Sequence, residues 1–332
     1  MSKQVMLDVR NLKVIFPSAA GVVRAVEGVD LTVHQGECVA LVGESGCGKS
    51  VTSQAIMRLL ESPPALVRSD KLELNGKELS TLSSAQLQEV RGKDVSLIFQ
   101  DALTALNPVM TVGRQLDEVF LRHGCKSRRE AKANSIAVLR LVGVPSPEAR
   151  YAAFPHQLSG GMRQRVLIAM AFACDPKLII ADEPTTALDV TIQAQVLDVL
   201  KRMQREHNTS LILITHDLSV VAHMADTVYV MYSGKIVERA PLRPLYKHPL
   251  HPYTQGLMAA VPRLSDEHHT FIQIPDSLPN PMDKPAGCYF SPRCRYCTAQ
   301  CREKMPPLKE LPGGRAVRCW HPLETEGVED NG

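Results

Sequence analysis

The sequence predicts an α/β fold built on a largely parallel sheet, and two observations carry this prediction. Short apolar runs have the length and composition of buried parallel strands, namely "CVALV" (38–42), "KLIIAD" (177–182) and "SLILITH" (210–216). Stretches with helical spacing lie between these runs, and strands that alternate with helices are typical of α/β folds. With 332 residues, the chain is long enough for one large domain or two smaller ones.

The bulk composition excludes several classes of protein. A hydrophobic fraction of 44% with 22% charged residues is ordinary for a soluble globular protein. The net charge of +3 is too small to indicate nucleic acid as a partner, so none is expected. No apolar run approaches the ~18 to 20 residues of a membrane span, and the start "MSKQVMLDVRNL" lacks the apolar core of a secretory signal. We therefore expect a cytosolic protein that does not itself cross a membrane.

The elements of the first half follow in chain order. Residues 5–42 cluster or alternate β-branched residues between turn residues, which predicts short strands. "SVTSQAIMRLL" (50–60) has helical spacing, and residues 72–100 return to a strand pattern ending in "VSLIFQ". From about residue 114 to residue 150 the pattern is helical and charged.

In the second half, a helix is predicted through "TIQAQVLDVLKRMQREH" (191–207). After the strand at 210–216, a further helix and strand end near Glu238. Proline becomes frequent after "APLRPLYKHPLHPYTQ" (240–255), and residues 261–332 are predicted to be loop-rich. Of the nine cysteines, five lie between Cys288 and Cys319, which marks a second module near the C-terminus.

The stretch "GESGCGKS" (43–50) lies between a predicted strand and a predicted helix. Gly43, Gly48, Lys49 and Ser50 satisfy the pattern G-x-x-x-x-G-K-[ST]. Glycines let the backbone N–H groups wrap a phosphate, and the helix that starts there presents its positive end to the anion. Lys49 would reach the β- and γ-phosphates, and the Ser50 hydroxyl would bind Mg²⁺. The alternative is a glycine-rich turn without a ligand, but the flanking strand and helix favour a phosphate site.

Two adjacent carboxylates end the apolar run "LIIADE". Asp182 would hold the Mg²⁺ through water, and Glu183 would orient and polarise an attacking water molecule. A polar turn after a strand is the alternative for this pair. The phosphate-binding pattern upstream favours the functional interpretation.

The stretch "LSGGMRQR" (158–165) is a second glycine-rich turn that opens a helix. Within a dimer, Ser159, Gly160 and Gly161 would offer donors and a helix N-terminus to the γ-phosphate bound on the opposite subunit. This stretch resembles the signature motif of the ATPases of ATP-binding-cassette (ABC) transporters, and other motifs stand in the order of that family. These are Phe16 (adenine-stacking residue), Gln100 in "IFQD" (Q-loop), "TTALD" (185–189, D-loop) and His216 in "LITHD" (H-switch).

The resemblance implies a P-loop NTPase fold in the form of an ABC cassette. Such a cassette has a core α/β subdomain, an antiparallel β subdomain and a helical subdomain, the last expected at about residues 101–160. The nucleotide-binding domain is expected at residues 1–240, followed by a small Cys-rich extension at residues 241–332. In this family two subunits clamp two ATP molecules head to tail, and each site is completed by the partner's signature motif.

The same resemblance assigns roles to individual residues, with ATP as substrate and Mg²⁺ as cofactor. Glu183 is expected to be the base, His216 to sense the γ-phosphate, and Gln100 to serve phosphate and metal. Ser50, Gln100 and Asp182 are the expected magnesium ligands. The residues expected at the nucleotide are Phe16, Gly43, Ser45, Gly46, Gly48, Lys49, Ser50, Val51 and Asp182, with Ser159, Gly160, Gly161 and Asp189 facing the partner subunit.

Two further stretches resemble the ATPases of dipeptide and oligopeptide importers, namely "HPLHPYTQGL" (248–257) and "IFQDALTALNP" (98–108). The resemblance implies a second homologous ATPase subunit that forms a heterodimer, two transmembrane permease subunits and an extracytoplasmic peptide-binding protein. It places the chain at the cytoplasmic face of the cell membrane.

Ala102 departs from the family, which more often has proline there, and Cys47 stands where serine is usual. A thiol at a helix N-terminus can have a lowered pKa and be oxidisable, although a tolerated side chain is the simpler interpretation of Cys47.

Two other functions stay open. The same motor could serve another cargo, such as nickel, glutathione or antimicrobial peptides, because the motor never needs to touch the cargo. A non-transport ABC protein of DNA repair or translation usually carries two cassettes or long coiled coils. This chain shows one cassette and no sustained heptads.

Cys288, Cys294, Cys301 and Cys319 are spaced as C-x5-C-x6-C-x17-C. In a reducing compartment disulfides are improbable, so four thiolates that converge suit either Zn²⁺ or an iron–sulfur cluster. The pattern resembles one that holds a [4Fe-4S] cluster in the peptide-importer family; zinc and free redox thiols are the alternatives. The group bound by these cysteines would either cross-link a segment that has no hydrophobic core of its own, or sense redox state or iron.

Two neighbouring residues complicate the cysteine pattern. Cys297 forms a local C-x2-C with Cys294 but is absent from the family pattern, so we treat it as a bystander or an alternative ligand. His321 is a possible competing ligand.

Overall fold

The computed structural model describes residues 4–186, 188–259 and 277–323. The chain divides into two compact units. Unit 1 comprises Met1–Asp8, Thr32–Cys38 and Glu73–Ile214, and unit 2 comprises Val9–Leu31, Val39–Leu72 and Thr215–Gly332. No helix within the described ranges is both long and apolar enough to span a bilayer.

Strands and helices alternate over residues 178–232, as the sequence predicts. The strands are β1 (Val5–Ser18), β2 (Gly21–His34), β3 (Cys38–Val42), β4 (Leu66–Arg68), β5 (Lys71–Leu74), β6 (Lys77–Glu78), β7 (Val95–Ile98), β8 (Leu178–Asp182), β9 (Ser210–Thr215), β10 (Thr227–Tyr232), β11 (Lys235–Pro241), β12 (Lys309–Leu311) and β13 (Arg315–Val317). The helices are α1 (Lys49–Ile56), α2 (Ser84–Val90), α3 (Ala102–Ala105), α4 (Val112–His123), α5 (Arg128–Leu141), α6 (Pro147–Ala152), α7 (Gly160–Phe172), α8 (Val190–Glu206), α9 (Leu218–Met224), α10 (Leu242–Lys247), α11 (Pro252–Ala259) and α12 (Ala299–Glu303).

Unit 1 contains the parallel strands β7, β8 and β9. Ile98 pairs with Ala181 and Asp182 pairs with Ile214, so the strands end at one edge of the sheet. Strands β8 and β9 are buried along their whole length, which explains their apolar sequences. Ligands of open parallel sheets bind beyond the carboxyl ends of the strands. Gln100 and Glu183, which follow β7 and β8, therefore lie on the functional edge.

The helical region expected at about residues 114–150 is confirmed as α4, α5 and α6. Thr111 and Ser127 cap the first turns of α4 and α5 with their hydroxyl groups. Asp117 joins the three helices, because its carboxylate accepts hydrogen bonds from Ser135 Oγ and from Tyr151 Oη at 2.6 Å each.

A helix interrupts the strand pattern expected over residues 72–100, so that prediction is wrong for α2. Ser83 and Gln86 form a capping box that starts this helix. The Ser83 hydroxyl accepts from the Gln86 N–H at 3.3 Å, and the Gln86 side-chain oxygen accepts from the Ser83 N–H at 2.9 Å. The helix is only seven residues long, too short to show a clear helical period.

In unit 2, β3 pairs in parallel with β10, and Val42 lies opposite Val230. The sequence predicts one strand ending near Glu238, whereas β10 and β11 form an antiparallel hairpin. The chain reverses at Ser233 and Gly234, which both have positive φ (44° and 86°), as two-residue hairpin turns require.

The described part of the C-terminal segment, residues 277–323, is mostly irregular, as predicted. Residues 261–276 and 324–332 of the predicted loop-rich region lie outside the described residues. Strand β13 pairs with β11, with Ala316 opposite Arg239, so the segment extends the sheet of unit 2.

The turn before α11 is attached to β11 through Glu238, whose side chain is fully buried. Its carboxylate accepts hydrogen bonds from the N–H groups of Leu250 at 2.9 Å and His251 at 2.8 Å, and Arg315 Nη2 lies 3.5 Å away. A buried carboxylate requires such partners. Burial nevertheless raises the pKa of Glu238.

Candidate nucleotide-binding site

The phosphate loop, residues 43–50, is a tight turn between β3 and α1 in unit 2. A Cβ atom on Gly43 would lie 2.2 Å from the Met231 carbonyl oxygen, and one on Gly48 would lie 2.5 Å from the Ala25 carbonyl oxygen. Both glycines also have positive φ, 155° and 110°. The backbone packing therefore requires glycine at both positions.

Lys49 is buried and folds back over this loop. Its Nζ donates to the carbonyl oxygens of Gly43 at 2.7 Å and Glu44 at 3.0 Å. Because α1 begins at Lys49, the N–H groups of Ser50 and Val51 belong to its first turn, where the helix end carries partial positive charge. Ser45 and Gly46, which precede them, are exposed. The loop thus combines a cation and a helix N-terminus, as a phosphate site needs.

Cys47 is inaccessible in the loop, with 1% of its surface exposed. Burial raises the pKa of this thiol, and the positive charge of Lys49 only partly opposes that effect. This disfavours the alternative of a lowered pKa at the helix N-terminus and agrees with the simpler interpretation of Cys47 as a tolerated side chain, because desolvation outweighs the nearby cation.

In unit 1, Gln100 and Glu183 are in contact. Gln100 Nε2 and Thr186 Oγ1 both donate to Glu183 Oε2 at 2.9 Å. Glu183 has a positive φ of 46°, and its N–H donates to the Ile214 carbonyl at 2.8 Å, which turns the chain sharply at the end of β8. Asp182, the last residue of β8, is 7% exposed. The two donors hold the Glu183 carboxylate in one orientation.

The signature turn, residues 158–161, lies at the start of α7 in unit 1. Ser159 caps the helix by accepting from the Met162 N–H at 3.4 Å, and both Ser159 and Gly160 are exposed. Gly161 is half-buried. A Cβ atom at this position would lie 2.5 Å from Ile192 Cγ2, so there is little room for a side chain.

The remaining predicted residues occupy element ends. Asp189 is exposed and caps α8 by accepting from the Ile192 N–H at 2.9 Å; Ala187 of the predicted D-loop lies outside the described residues. In unit 2, Phe16 is half-buried in β1 and His216 is exposed directly after β9.

The expected magnesium ligands have suitable chemistry. Ser50 supplies a hydroxyl oxygen, Gln100 an amide oxygen and Asp182 a carboxylate oxygen, and Mg²⁺ prefers such hard oxygen donors. The donor set therefore fits the metal that accompanies ATP.

Four cysteines of unit 2 line one cavity: Cys288, Cys294, Cys301 and Cys319. Burial raises the pKa of Cys288 and of Cys319 to about 11, and it also raises that of Cys294. Within the described ranges, no group of three or more His, Cys, Asp or Glu residues is arranged to hold a metal ion. The four cysteines therefore share one cavity, but the described residues do not show them converging on one point as predicted.

Cys297 and His321, the other two candidate ligands, differ in whether they line this cavity. Cys297 is not among the residues that line it, and its Sγ contacts the Thr298 carbonyl at 3.5 Å. His321 lines the cavity, and its Nε2 lies 3.0 Å from Thr298 Oγ1.

His251, from the "HPLHPYTQGL" stretch, also lines the cysteine cavity and is 1% exposed. Burial lowers its pKa to about 3, so the ring is neutral at physiological pH. Nδ1 accepts from the Tyr253 N–H at 3.0 Å, which places the ring proton on Nε2. Within the described part of the chain this buried Nε2 has no hydrogen-bond partner. A donor left unpaired beside four thiols suits a sulfur-containing group in the cavity.

Comparison with known proteins decides the family. The family model "ABC transporter" matches residues 26–186, and the model "Oligopeptide/dipeptide transporter, C-terminal region" matches residues 237–301. The oligopeptide transport ATP-binding protein AppD of Bacillus subtilis is 46% identical over 98% of this chain and 99% of its own length. The chain belongs to the ABC transporter family. The dipeptide transport ATP-binding protein DppD of Escherichia coli is likewise 46% identical, over 97% of this chain and 98% of its own.

Solved structures agree with this family assignment. The dimeric structure of a bacterial ABC transporter cassette covers 72% of this chain and 99% of its own, with a TM-score of 0.63 and 26% identity. A dimeric post-hydrolysis state of an ATP-binding cassette with ADP and phosphate has the same TM-score and 25% identity. The predicted ABC cassette fold is therefore confirmed, and the chain is an ATPase of the ABC transporter family that uses ATP and Mg²⁺.

Sequence reasoning noticed "HPLHPYTQGL" as a family feature but assigned no role to its residues. The structure places His251 on the cysteine cavity and Tyr253 against the phosphate loop, where its Oη accepts from the Glu44 N–H at 2.9 Å. Arg293, adjacent to Cys294, also reaches the loop and was missed entirely. Two histidines, a tyrosine and two prolines in one short stretch, next to an ABC cassette, were the available signal.

Proposed function

We propose that this ABC ATPase powers the uptake of dipeptides or oligopeptides across the cytoplasmic membrane. The observation that carries the proposal is the match of residues 237–301 to the oligopeptide/dipeptide transporter C-terminal region. That segment lies beyond the part matched by the general ABC model, so it carries information about the subfamily. Relatives whose names specify oligopeptide and dipeptide transport cover nearly the whole chain, which supports the same function.

The partners follow from this function. The ATPase would act at the cytoplasmic face of the membrane with a second, homologous ATPase, two transmembrane permease subunits and an extracytoplasmic peptide-binding protein. Residues 1–240 would form the nucleotide-binding domain, with a helical subdomain at about 101–160, and residues 241–332 would form the importer-specific extension.

In the proposed mechanism, the phosphate loop binds the ATP phosphates with its N–H groups and with Lys49. Lys49 exchanges the carbonyl oxygens that it now contacts for phosphate oxygens, so its charge lies where charge develops during hydrolysis. Ser50, Gln100 and Asp182 would hold Mg²⁺, which neutralises phosphate charge when bound. Phe16 would stack on adenine.

Glu183 would act as the general base. Gln100 and Thr186 orient its Oε2, which leaves the carboxylate poised to accept a proton from the attacking water. His216 would sense the γ-phosphate. Ser159, Gly160, Gly161 and Asp189, all exposed or half-buried at helix starts, would complete the site of the partner subunit.

We further propose a [4Fe-4S] cluster in the cysteine cavity, held by Cys288, Cys294, Cys301 and Cys319. Four lining thiols and the unpaired His251 Nε2–H support a sulfur-rich group, because hydrogen bonds to the sulfurs are a recurrent feature of such centres. Zn²⁺ is the alternative and would need four donors within about 2.3 Å of one point. When bound, the cluster would cross-link a mostly irregular segment.

Transport is tested by uptake of labelled dipeptides in cells that lack the gene for this chain and carry either the wild type or Glu183→Gln. We expect uptake with the wild type only, and co-purification of two multi-span membrane proteins with both forms. Uptake of nickel or glutathione instead of peptides would reassign the cargo. Failure to bind any membrane protein would favour a non-transport ABC protein.

The cysteine centre is tested by metal and sulfide analysis after anaerobic purification. We expect iron, acid-labile sulfide and broad absorption at about 400 nm, all three lost in Cys301→Ser. Cys297→Ser is the matched control and should retain them, since Cys297 does not line the cavity. Stoichiometric zinc without iron would reject the cluster.

A further inference from the structure

The C-terminal segment contacts the phosphate loop at one residue, Glu44. Tyr253 Oη, from α11, accepts the Glu44 backbone N–H at 2.9 Å. Arg293 Nη1, from the cysteine-rich stretch, donates to the Glu44 carboxylate at 2.9 Å. The backbone and the side chain of a single loop residue are thus bound by two separate parts of the C-terminal segment.

The backbone carbonyl of Glu44, its third polar group, contacts Lys49, the residue proposed to bind phosphate. Lys49 Nζ donates to the Glu44 carbonyl at 3.0 Å, and the Cys47 N–H donates to the same oxygen at 3.3 Å. A displacement of Glu44 would therefore move an acceptor of Lys49. Since the loop must present its N–H groups and Lys49 in one geometry, the placement of Glu44 bears directly on phosphate binding.

Arg293 is itself rigidly held. Its side chain is 4% exposed, and besides Glu44 it contacts the Tyr232 hydroxyl at 3.3 Å. A buried guanidinium requires its charged partner, because an unpaired buried charge is strongly unfavourable. The Glu44 carboxylate, 27% exposed, is thereby drawn to a fixed point of the C-terminal segment.

A buried aromatic cluster connects the two parts of the C-terminal segment that contact Glu44, namely α11 and the cysteine-rich stretch. The rings of Tyr232 and Tyr253 meet edge-on at 4.7 Å between centroids, and those of Tyr232 and Phe290 at 5.3 Å. All three belong to one buried core of unit 2. Tyr253 and Arg293 consequently form one packed support rather than two independent surface contacts.

We infer that Tyr253 and Arg293 are positioning residues for the nucleotide, which hold the phosphate loop in its binding geometry through Glu44. The inference rests on the proposed assignment of residues 43–50 to phosphate binding. It explains why an importer-specific extension is packed against the phosphate loop of an ATPase. Neither residue touches the nucleotide in this scheme, and both act on affinity rather than on the chemical step.

The test measures the dissociation constant of a fluorescent ATP analogue for the full chain, together with kcat and KM for hydrolysis by the assembled transporter. Tyr253→Phe and Arg293→Ala are each expected to weaken binding and raise KM about 5- to 30-fold, the scale of one lost buried hydrogen bond. We expect kcat to change less than about twofold, because the contacts are equal in ground and transition states. Arg293→Lys keeps a donor and should recover part of the affinity.

The matched controls come from the same segment. Tyr289→Phe removes a hydroxyl that donates to Glu27, and Arg295→Ala removes a guanidinium bound to Gln255, so each control deletes a polar contact away from Glu44. Both controls should bind the analogue like the wild type. In a Glu44→Gln background, Arg293→Ala should have little further effect, because the two side chains act as a pair.

The outcomes distinguish a failure of the phosphate-loop assignment from a failure of the positioning role of Tyr253 and Arg293. If Lys49→Met leaves affinity intact, the phosphate-loop assignment itself fails. If Lys49→Met loses affinity while folded Tyr253→Phe and Arg293→Ala bind normally, the positioning role is overturned. A lowered melting temperature with unchanged affinity would also overturn it, since that result indicates packing alone.

Discussion

The two glycine-rich turns of this chain each start a helix, but they differ in how they are built. The groups of the phosphate loop are paired within the protein, since Lys49 donates to two loop carbonyls and Gly43 and Gly48 pack closely against backbone carbonyls outside the loop. The signature turn has helical glycines, an exposed Ser159 and an exposed Gly160. A turn whose donors face solvent is suited to a ligand brought by another molecule, which agrees with the dimeric use of this motif in the ABC family.

The largest effect on folding stability and ATP binding is expected from Gly48→Ala. The new Cβ would meet a backbone carbonyl at 2.5 Å while φ is 110°, so the loop must deform. We expect a loss of about 2–4 kcal/mol in the free energy of unfolding and at least ~100-fold weaker ATP binding. Urea denaturation and binding of a fluorescent ATP analogue measure the two quantities.

Gly76→Ala is the matched control for that change. Gly76 also has positive φ, 81°, but a Cβ atom at this position would meet no atom of the described residues within 4 Å. Only backbone strain of about 1 kcal/mol is therefore expected. Equal destabilisation by the two substitutions would show that strain, not packing, decides the shape of the phosphate loop.

Glu183→Gln should separate binding from turnover. The substitution preserves the shape of the side chain but removes the proton acceptor, so hydrolysis should fall by about 10²- to 10⁴-fold while ATP binding persists. Phosphate release measures the first quantity and analogue binding the second. Turnover at the wild-type rate would exclude Glu183 as the base.

Ser159→Ala should produce a smaller effect that depends on assembly. It removes the α7 cap and should cost about 1 kcal/mol, with unchanged ATP affinity for the single chain and about tenfold slower hydrolysis in the assembled transporter. Ser127→Ala removes the equivalent cap of α5 and controls for helix stability. If both variants slow hydrolysis alike, the signature turn has only a structural role.

Cys47→Ser should have the smallest effect. The thiol is buried with a raised pKa, so it should resist alkylation, and ATP affinity should change by less than about twofold. Peroxide treatment followed by an ATP-binding measurement tests this. Loss of affinity in the wild type but not in Cys47→Ser would restore a redox role for this residue.

Local patterns were the predictable part of the fold and site. Gly43 through Ser50 could be identified because a phosphate loop is a contiguous strand–turn–helix unit whose residues act together. β8 and β9 were predictable because buried parallel strands are apolar throughout. The helix α2 was missed because its signal was a capping box at Ser83, which a search for hydrophobic period does not detect.

The cysteine region shows what residue spacing can predict and what depends on the tertiary structure. The spacing of Cys288, Cys294, Cys301 and Cys319 led to a prediction of four converging thiolates, and the structure shows only that these four line one cavity. Spacing could not decide the status of Cys297, because that depends on which way its backbone turns. Nor could it show that His251 contributes an unpaired donor from another part of the sequence.

The sequence by itself determined the chemistry: an ordered set of short motifs, each contiguous, that identifies an ABC ATPase and its catalytic candidates. Only the tertiary structure decided which distant residues support those motifs, such as Tyr253 and Arg293 on Glu44. The physical reason is that phosphate-binding groups are set by local backbone geometry, whereas hydrogen bonds between residues some 200 positions apart depend on how the whole unit packs.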